Sequence, residues 1–178
     1  MNYSNQVDIL YFLNNENAIV IRKSEDFPNY YTYSDIDIIT LSPDKLIMNL
    51  WNKFNKKYRG LGFHMDQVKT TKHCHIDIYP PKASRLDLRF DVINSFEEFY
   101  SFGMDKKFFG DVFLRAKDIV INNRGSVRVP DSDDETIIRY FEYLKNPHKK
   151  KHQKYVVEHC TPGFIKRLDE MGVKHGTI

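Results

Sequence analysis

The chain has 178 residues, 41% of them hydrophobic and 14% aromatic, which allows one packed domain with a short helical appendage and argues against a disordered tail protein. Its 27 Lys and Arg stand against 24 Asp and Glu, a formal charge of +3, too even a balance to point to nucleic acid by itself. Cys74 and Cys160 have no paired spacing and no segment approaches the roughly 20 apolar residues that cross a bilayer, so a reducing, cytoplasmic setting without a membrane is expected.

Asp8 to Asn14 reads as a short helix with Ile9, Leu10, Phe12 and Leu13 on one broad face. Ala18 to Ile21 is a compact, β-branched run that predicts a buried strand. A polar, aromatic loop broken by Pro28 leads to a second strand, Asp35 to Thr40, in which acidic and apolar residues alternate. Ser42 and Pro43 then mark a helix start, as N-cap and first helical residue. That helix carries Leu46, Ile47, Leu50, Trp51 and Phe54 inward and ends near Gly60, with Lys53, Lys56, Lys57 and Arg59 at the negative end of its dipole.

From Gly62 to Ile93 the pattern is β, with strands at Phe63 to Val68, Cys74 to Tyr79 and Arg85 to Val92. A short helix, Phe96 to Phe102, precedes two further strands, Asp118 to Ile121 and Ser126 to Val129. Ser132 to Glu135 has capping-box spacing before the stripe Ile137, Ile138, Phe141 and Leu144. Lys149 to His159 and Pro162 to Met171 complete a helical tail. The expected fold is α/β (α+β), a mixed β-sheet flanked by helices over residues 1–129, with a C-terminal helical segment over 130–178.

Residues at i and i+2 of a strand share a face with roots about 7 Å apart. Asp35 and Asp37 therefore project together, while Ile36 and Ile38 enter the core. Two adjacent carboxylates repel unless a cation lies between them. Mg²⁺ suits such a pair because it takes carboxylate oxygens, water and phosphates, and a pair of such ions can clamp an in-line displacement at phosphorus. Ser24 lies on the loop before the strand, Ser34 immediately precedes the pair, and Asp77 and Asp87 recur on later strands.

Ser24, the run Ser34-Asp35-Ile36-Asp37-Ile38, and then Asp87 or Asp77 resemble the nucleotidyltransferase superfamily that includes DNA polymerase beta, kanamycin nucleotidyltransferase and the minimal nucleotidyltransferases. The resemblance covers roughly Asp8 to Ile93. It implies a nucleotidyltransferase-like sheet, Mg²⁺ or Mn²⁺ at Asp35, Asp37 and a third carboxylate, and a nucleoside triphosphate as substrate. Asp87 is the first choice for that third carboxylate, since Asp87, Arg89 and Asp91 share the polar face of their strand, and Asp77 is the second. The loop glycine of the family is Lys23 here, and the stretch Ile19 to Pro28 resembles a bacterial subgroup often linked to cell-surface polysaccharide genes. Arg22 and Lys23 would then neutralise phosphate charge in place of backbone amides, with Ser24 and Ser34 beside them. The acceptor implied is a small molecule, such as a sugar or sugar phosphate. The lost glycine also fits a catalytically degenerate nucleotide- or protein-binding module of the same fold.

Other patterns say less. His64, His73, Cys74 and His75 lack the usual zinc spacings, and His73 and His75 alternate as polar-face strand residues do. The basic run Lys145 to Lys154 reads as a solvated helix face, or else as a phosphate-steering surface; with Tyr155 it keeps open a nucleic-acid-directed transferase.

Overall fold

Asp8 ends the N-terminal stretch by accepting a hydrogen bond from the Tyr11 amide, which caps α1 (Ile9–Leu13). The computed structural model describes residues 4, 6–70, 73–121 and 123–174. They form two units, residues 1–94 with 118–129, and residues 95–117 with 130–178.

The first unit holds β1 (Ile19–Val20), β2 (Ser34–Ile39), α2 (Pro43–Lys57), β3 (His64–Lys69), β4 (His73–Tyr79), β5 (Leu88–Ile93), β6 (Lys117–Ile121) and β7 (Gly125–Val129). The strands make one seven-stranded mixed sheet in the order β3-β4-β5-β2-β1-β7-β6. β2 runs parallel to β5 and antiparallel to β1, and β4 runs antiparallel to both β3 and β5. Parallel neighbours need a long crossover. Here α2 and the β3–β4 pair lie between β2 and β5 in the chain.

Strand alternation divides the sheet's residues between two faces. Ile36 and Ile38 of β2, Leu88, Phe90 and Val92 of β5, and Ile76 and Ile78 of β4 join Phe12 of α1 and Leu50 and Phe54 of α2 in one apolar cluster. Full burial of each such side chain is worth about 1.5–3 kcal/mol, so the alternation fixes the register of these strands firmly. The helix start at Pro43 is as expected, although Ser42 makes no side-chain capping bond.

The second unit contains a 3-10 turn (Glu97–Phe102), α3 (Lys106–Arg115), α4 (Ser132–Lys145), α5 (Lys150–His159) and α6 (Pro162–Glu170). Phe96, Phe99, Phe108, Val112, Phe141 and Phe164 are among its buried side chains. Two expectations need correcting. α3 was missed, although Asp105 caps it and Phe108, Phe109, Val112 and Phe113 are buried along it. Residues 95–117 consequently belong with the C-terminal helices and not with a continuous domain over 1–129. The cap of α4 is Asp131, one residue before the expected Ser132.

At the start of α4, Arg167 bonds both Asp131 and Asp134, and Arg115 forks onto Asp134. Gly163 lies so close to the Asp133 carboxylate that any Cβ there would collide with it, while Thr161 caps α6 and donates to the same carboxylate at 2.6 Å. Both cysteines are free, Cys74 buried and Cys160 exposed. Among the described residues no helix is long and apolar enough to cross a membrane.

Candidate functional site

The face of β2, β5 and β4 opposite the apolar cluster is polar over two of the three rungs into which the strand register arranges it. In the first rung Asp35 pairs with Arg89, and Arg89 with Asp77. In the second Asp37 pairs with Asp91, and Asp91 with His75. In the third Ile39 pairs with Ile93, and Ile93 with His73.

The first rung is internally compensated. Arg89 forks onto Asp77 with bonds of 2.6 and 2.9 Å, and the Asp77 side chain is 5% exposed. Asp35 is exposed beside this pair.

The second rung carries an excess of negative charge. Ile21 N donates to Asp37 O at 3.0 Å, which brings the end of β1 alongside β2. The next residue, Arg22, turns with φ +54° and its Nη2 donates to Asp37 Oδ1 at 2.7 Å. A left-handed backbone costs a non-glycine residue about 1 kcal/mol or more, and at this position the charged hydrogen bond offsets it. Burial still raises the Asp37 pKa above the ordinary carboxylate value; Arg22 opposes the rise, and Asp91 and Asp35 add to it. Burial likewise raises the Asp91 pKa, opposed by His73, His75 and Arg22 and reinforced by Asp35. His75 Nε2 stands 3.8 Å from Asp91 Oδ1, beyond hydrogen-bond reach. Both atoms are screened from solvent, and neither has a hydrogen-bond partner among the described residues.

Of the residues expected at a site, the register brings Asp35 and Asp37 onto one face, with Arg22 at Asp37. It does not bring Asp87 there. Asp87 is fully buried, precedes β5, and accepts from Ser4 Oγ at 2.6 Å and Tyr30 Oη at 2.7 Å. Asp77 shares the polar face but is occupied by Arg89. The carboxylate that stands next to Asp37 is instead Asp91. Ser34 Oγ accepts from the Tyr31 amide and so shapes the turn into β2, while Lys23 and Ser24 are exposed on the loop after β1.

The sequence places Asp91 on a polar strand face without marking it as a ligand, and the spacing of His73 and His75 argues against zinc. A signal was available in the matching triplets Asp37-Ile38-Ile39 and Asp91-Val92-Ile93, which pair residue for residue. The basic run is partly self-compensated, since Lys145, Lys149 and Lys154 pair with Glu98, Glu142 and Glu158. Tyr155 stacks on His159 at 3.9 Å and carries Arg139 over its ring, so its π surface is already engaged.

Comparison with known protein families and with curated proteins finds no match. The class that can be stated is therefore structural: a mixed α/β protein with a seven-stranded sheet and an acidic face.

Proposed function

We propose that the chain is a metal-dependent nucleotidyltransferase that moves a nucleoside monophosphate from a triphosphate to a small-molecule acceptor, such as a sugar or sugar phosphate. The observation that carries this reading is the pairing of Asp37 with Asp91 on adjacent parallel strands, with Asp35 two residues away on the same face. Asp91 takes the place first given to Asp87 or Asp77.

Such a set fits a hard divalent cation, because its donors are oxygens and burial makes their charges costly. Asp35, Asp37 and Asp91 would hold Mg²⁺ or Mn²⁺, which when bound supplies positive charge to the triphosphate. Arg22 and Lys23 would bind phosphate oxygens, with Arg22 exchanging Asp37 for them. Asp35, the exposed member, would accept the proton of the acceptor hydroxyl.

One observation favours a second reading, a degenerate nucleotide- or protein-binding module. Arg22 already supplies Asp37 with a cation at 2.7 Å, and Lys23 stands where the family has glycine.

Thermal shift with each nucleoside triphosphate, with and without Mg²⁺ or Mn²⁺, separates the two. A competent site gains about 2.7 kcal/mol at a ligand concentration 100 times Kd, and loses that gain in Asp35→Asn and Asp37→Asn. Pyrophosphate release on adding sugar or sugar-phosphate acceptors then establishes transfer. A metal- and nucleotide-independent melt refutes the enzyme.

A further inference from the structure

We infer that His73, His75 and Asp91 form a binding site for a divalent transition metal of the zinc and cobalt class, chemically separate from the all-carboxylate Mg²⁺ set. The inference does not rest on nucleotidyl transfer; the two sites share only Asp91.

His73 and His75 alternate on β4 and so leave the sheet on one side, their ring centroids 4.5 Å apart. Asp91 lies across the antiparallel β4–β5 ladder from His75. One ligand atom from each residue can be chosen so that all three lie within 4.8 Å of one another. An ion with bonds near 2.0–2.1 Å holds its ligand atoms about 3.0–3.5 Å apart. The His75–Asp91 separation of 3.8 Å is therefore a small contraction away from shared coordination.

Buried polar atoms in folded proteins nearly always have partners, and leaving one without is destabilising. Here a donor-capable ring nitrogen and a carboxylate oxygen face each other across a gap, and neither is satisfied among the described residues. A direct His75–Asp91 hydrogen bond would satisfy those two atoms without using His73. A single cation would satisfy both and take its third ligand from His73, whose ring centroid lies 4.5 Å from that of His75. Two imidazoles and a carboxylate select zinc, cobalt, nickel or iron over magnesium. Three protein ligands leave a coordination position open, as at catalytic rather than structural sites.

The test uses the untagged full-length chain, stripped with chelator and titrated with Co²⁺. One equivalent should give a protein-dependent d–d absorption band that Zn²⁺ abolishes and excess Mg²⁺ does not. Proton spectra of the wild-type cobalt form should show two strongly shifted, exchangeable imidazole N–H resonances, a readout that needs no variant to fold. His73→Ala and His75→Ala should each weaken Co²⁺ by at least about 10–100-fold, the cost of even an outer-shell change, whereas Asp35→Asn, which removes only a neighbouring charge, should weaken it by much less than either. A wild-type spectrum identical to that of the hydrated ion, or binding that survives loss of both histidines, overturns the site. Failure of the nucleotidyltransferase reading shows separately, as a Mg²⁺–nucleotide response that is absent or indifferent to Asp35→Asn while Co²⁺ still binds.

Discussion

Asp37 and Asp91 are direct partners on the parallel β2–β5 ladder, and each side chain is 20% exposed. Arg22 bonds Asp37, while Asp91 feels Arg22 and the imidazoles of His73 and His75 only through space. The protein thus holds a half-buried carboxylate, Asp91, without a fixed cation bonded to it among the described residues. Asp91→Asn should therefore stabilise the metal-free protein by roughly 1 kcal/mol, or about 2–4 °C in Tm for a chain of this size. The same variant should lose both the Co²⁺ and the Mg²⁺–nucleotide responses. Differential scanning calorimetry after chelator treatment checks the first part, and a lowered Tm would mean that Asp91 is well paired without metal.

Arg22 poses the opposite case, because it neutralises Asp37 while holding a left-handed backbone. Arg22→Gln should destabilise the metal-free protein by about 1.5–3 kcal/mol, the value of a hydrogen bond between charged groups. Added Mg²⁺ should recover part of that loss, and more than it adds to wild type, since ion and guanidinium compete for one carboxylate. Equal Mg²⁺ effects on both proteins would show that Arg22 and the ion do not share Asp37.

Asp87 belongs to the core and should behave accordingly. It accepts from Ser4 and Tyr30 in a fully buried position, and burial, with the bond to Asp87, pushes the Tyr30 phenol pKa far up, so that it stays a donor. Asp87→Ala removes the acceptor that both hydroxyls share, leaving Tyr30 Oη its bond from the Val7 amide, and should cost about 1–3 kcal/mol in urea unfolding. Below its melting temperature the variant should keep the metal response of wild type. Selective loss of that response, with stability intact, would return Asp87 to the functional site.

The strands and their faces were legible because period-two alternation is set locally: Ile36 and Ile38 go in, Asp35 and Asp37 do not. Which carboxylate stands beside Asp37 depends instead on how β2 and β5 slide past one another, a long-range property that no window of sequence contains. Alternation groups Asp87 with Arg89 and Asp91, which holds for Arg89 and Asp91 alone: β5 begins only at Leu88, and Asp87 is drawn inward by Ser4 and Tyr30 from far along the chain. α3 escaped notice for another reason. Gly110 lies in its middle, and glycine in a helix interior costs about 1 kcal/mol, a deficit that its buried Phe108, Phe109, Val112 and Phe113 offset only once packed. The spacing of His73 and His75 marks them as polar-face residues; their meeting with Asp91 comes only with the register.

The charge cluster at the start of α4 gives a pH dependence of definite sign. Burial would raise the Asp131 pKa, but the bonds from Arg167 and the Asp134 amide outweigh it, and the net value lies below that of a free carboxylate. Its contribution is therefore present above the unfolded value, about 3.9, and is lost as pH falls through the lower folded value. Asp134, raised chiefly by burial, has the opposite sign, so the wild-type profile alone mixes the two. Asp131→Asn isolates the first, because asparagine caps a helix as well as aspartate does and what it removes is the charge facing Arg167, Arg115, Asp133 and Asp134, with one of the two oxygens that accept from Arg167. At neutral pH the variant should be less stable by about 1.5–3 kcal/mol. The gap between the two unfolding curves should narrow below about pH 3.9 and close once the wild-type carboxyl is protonated in the folded state. A gap that is constant from neutral to acid would assign the loss to capping geometry and not to the Asp131–Arg167 charge pair.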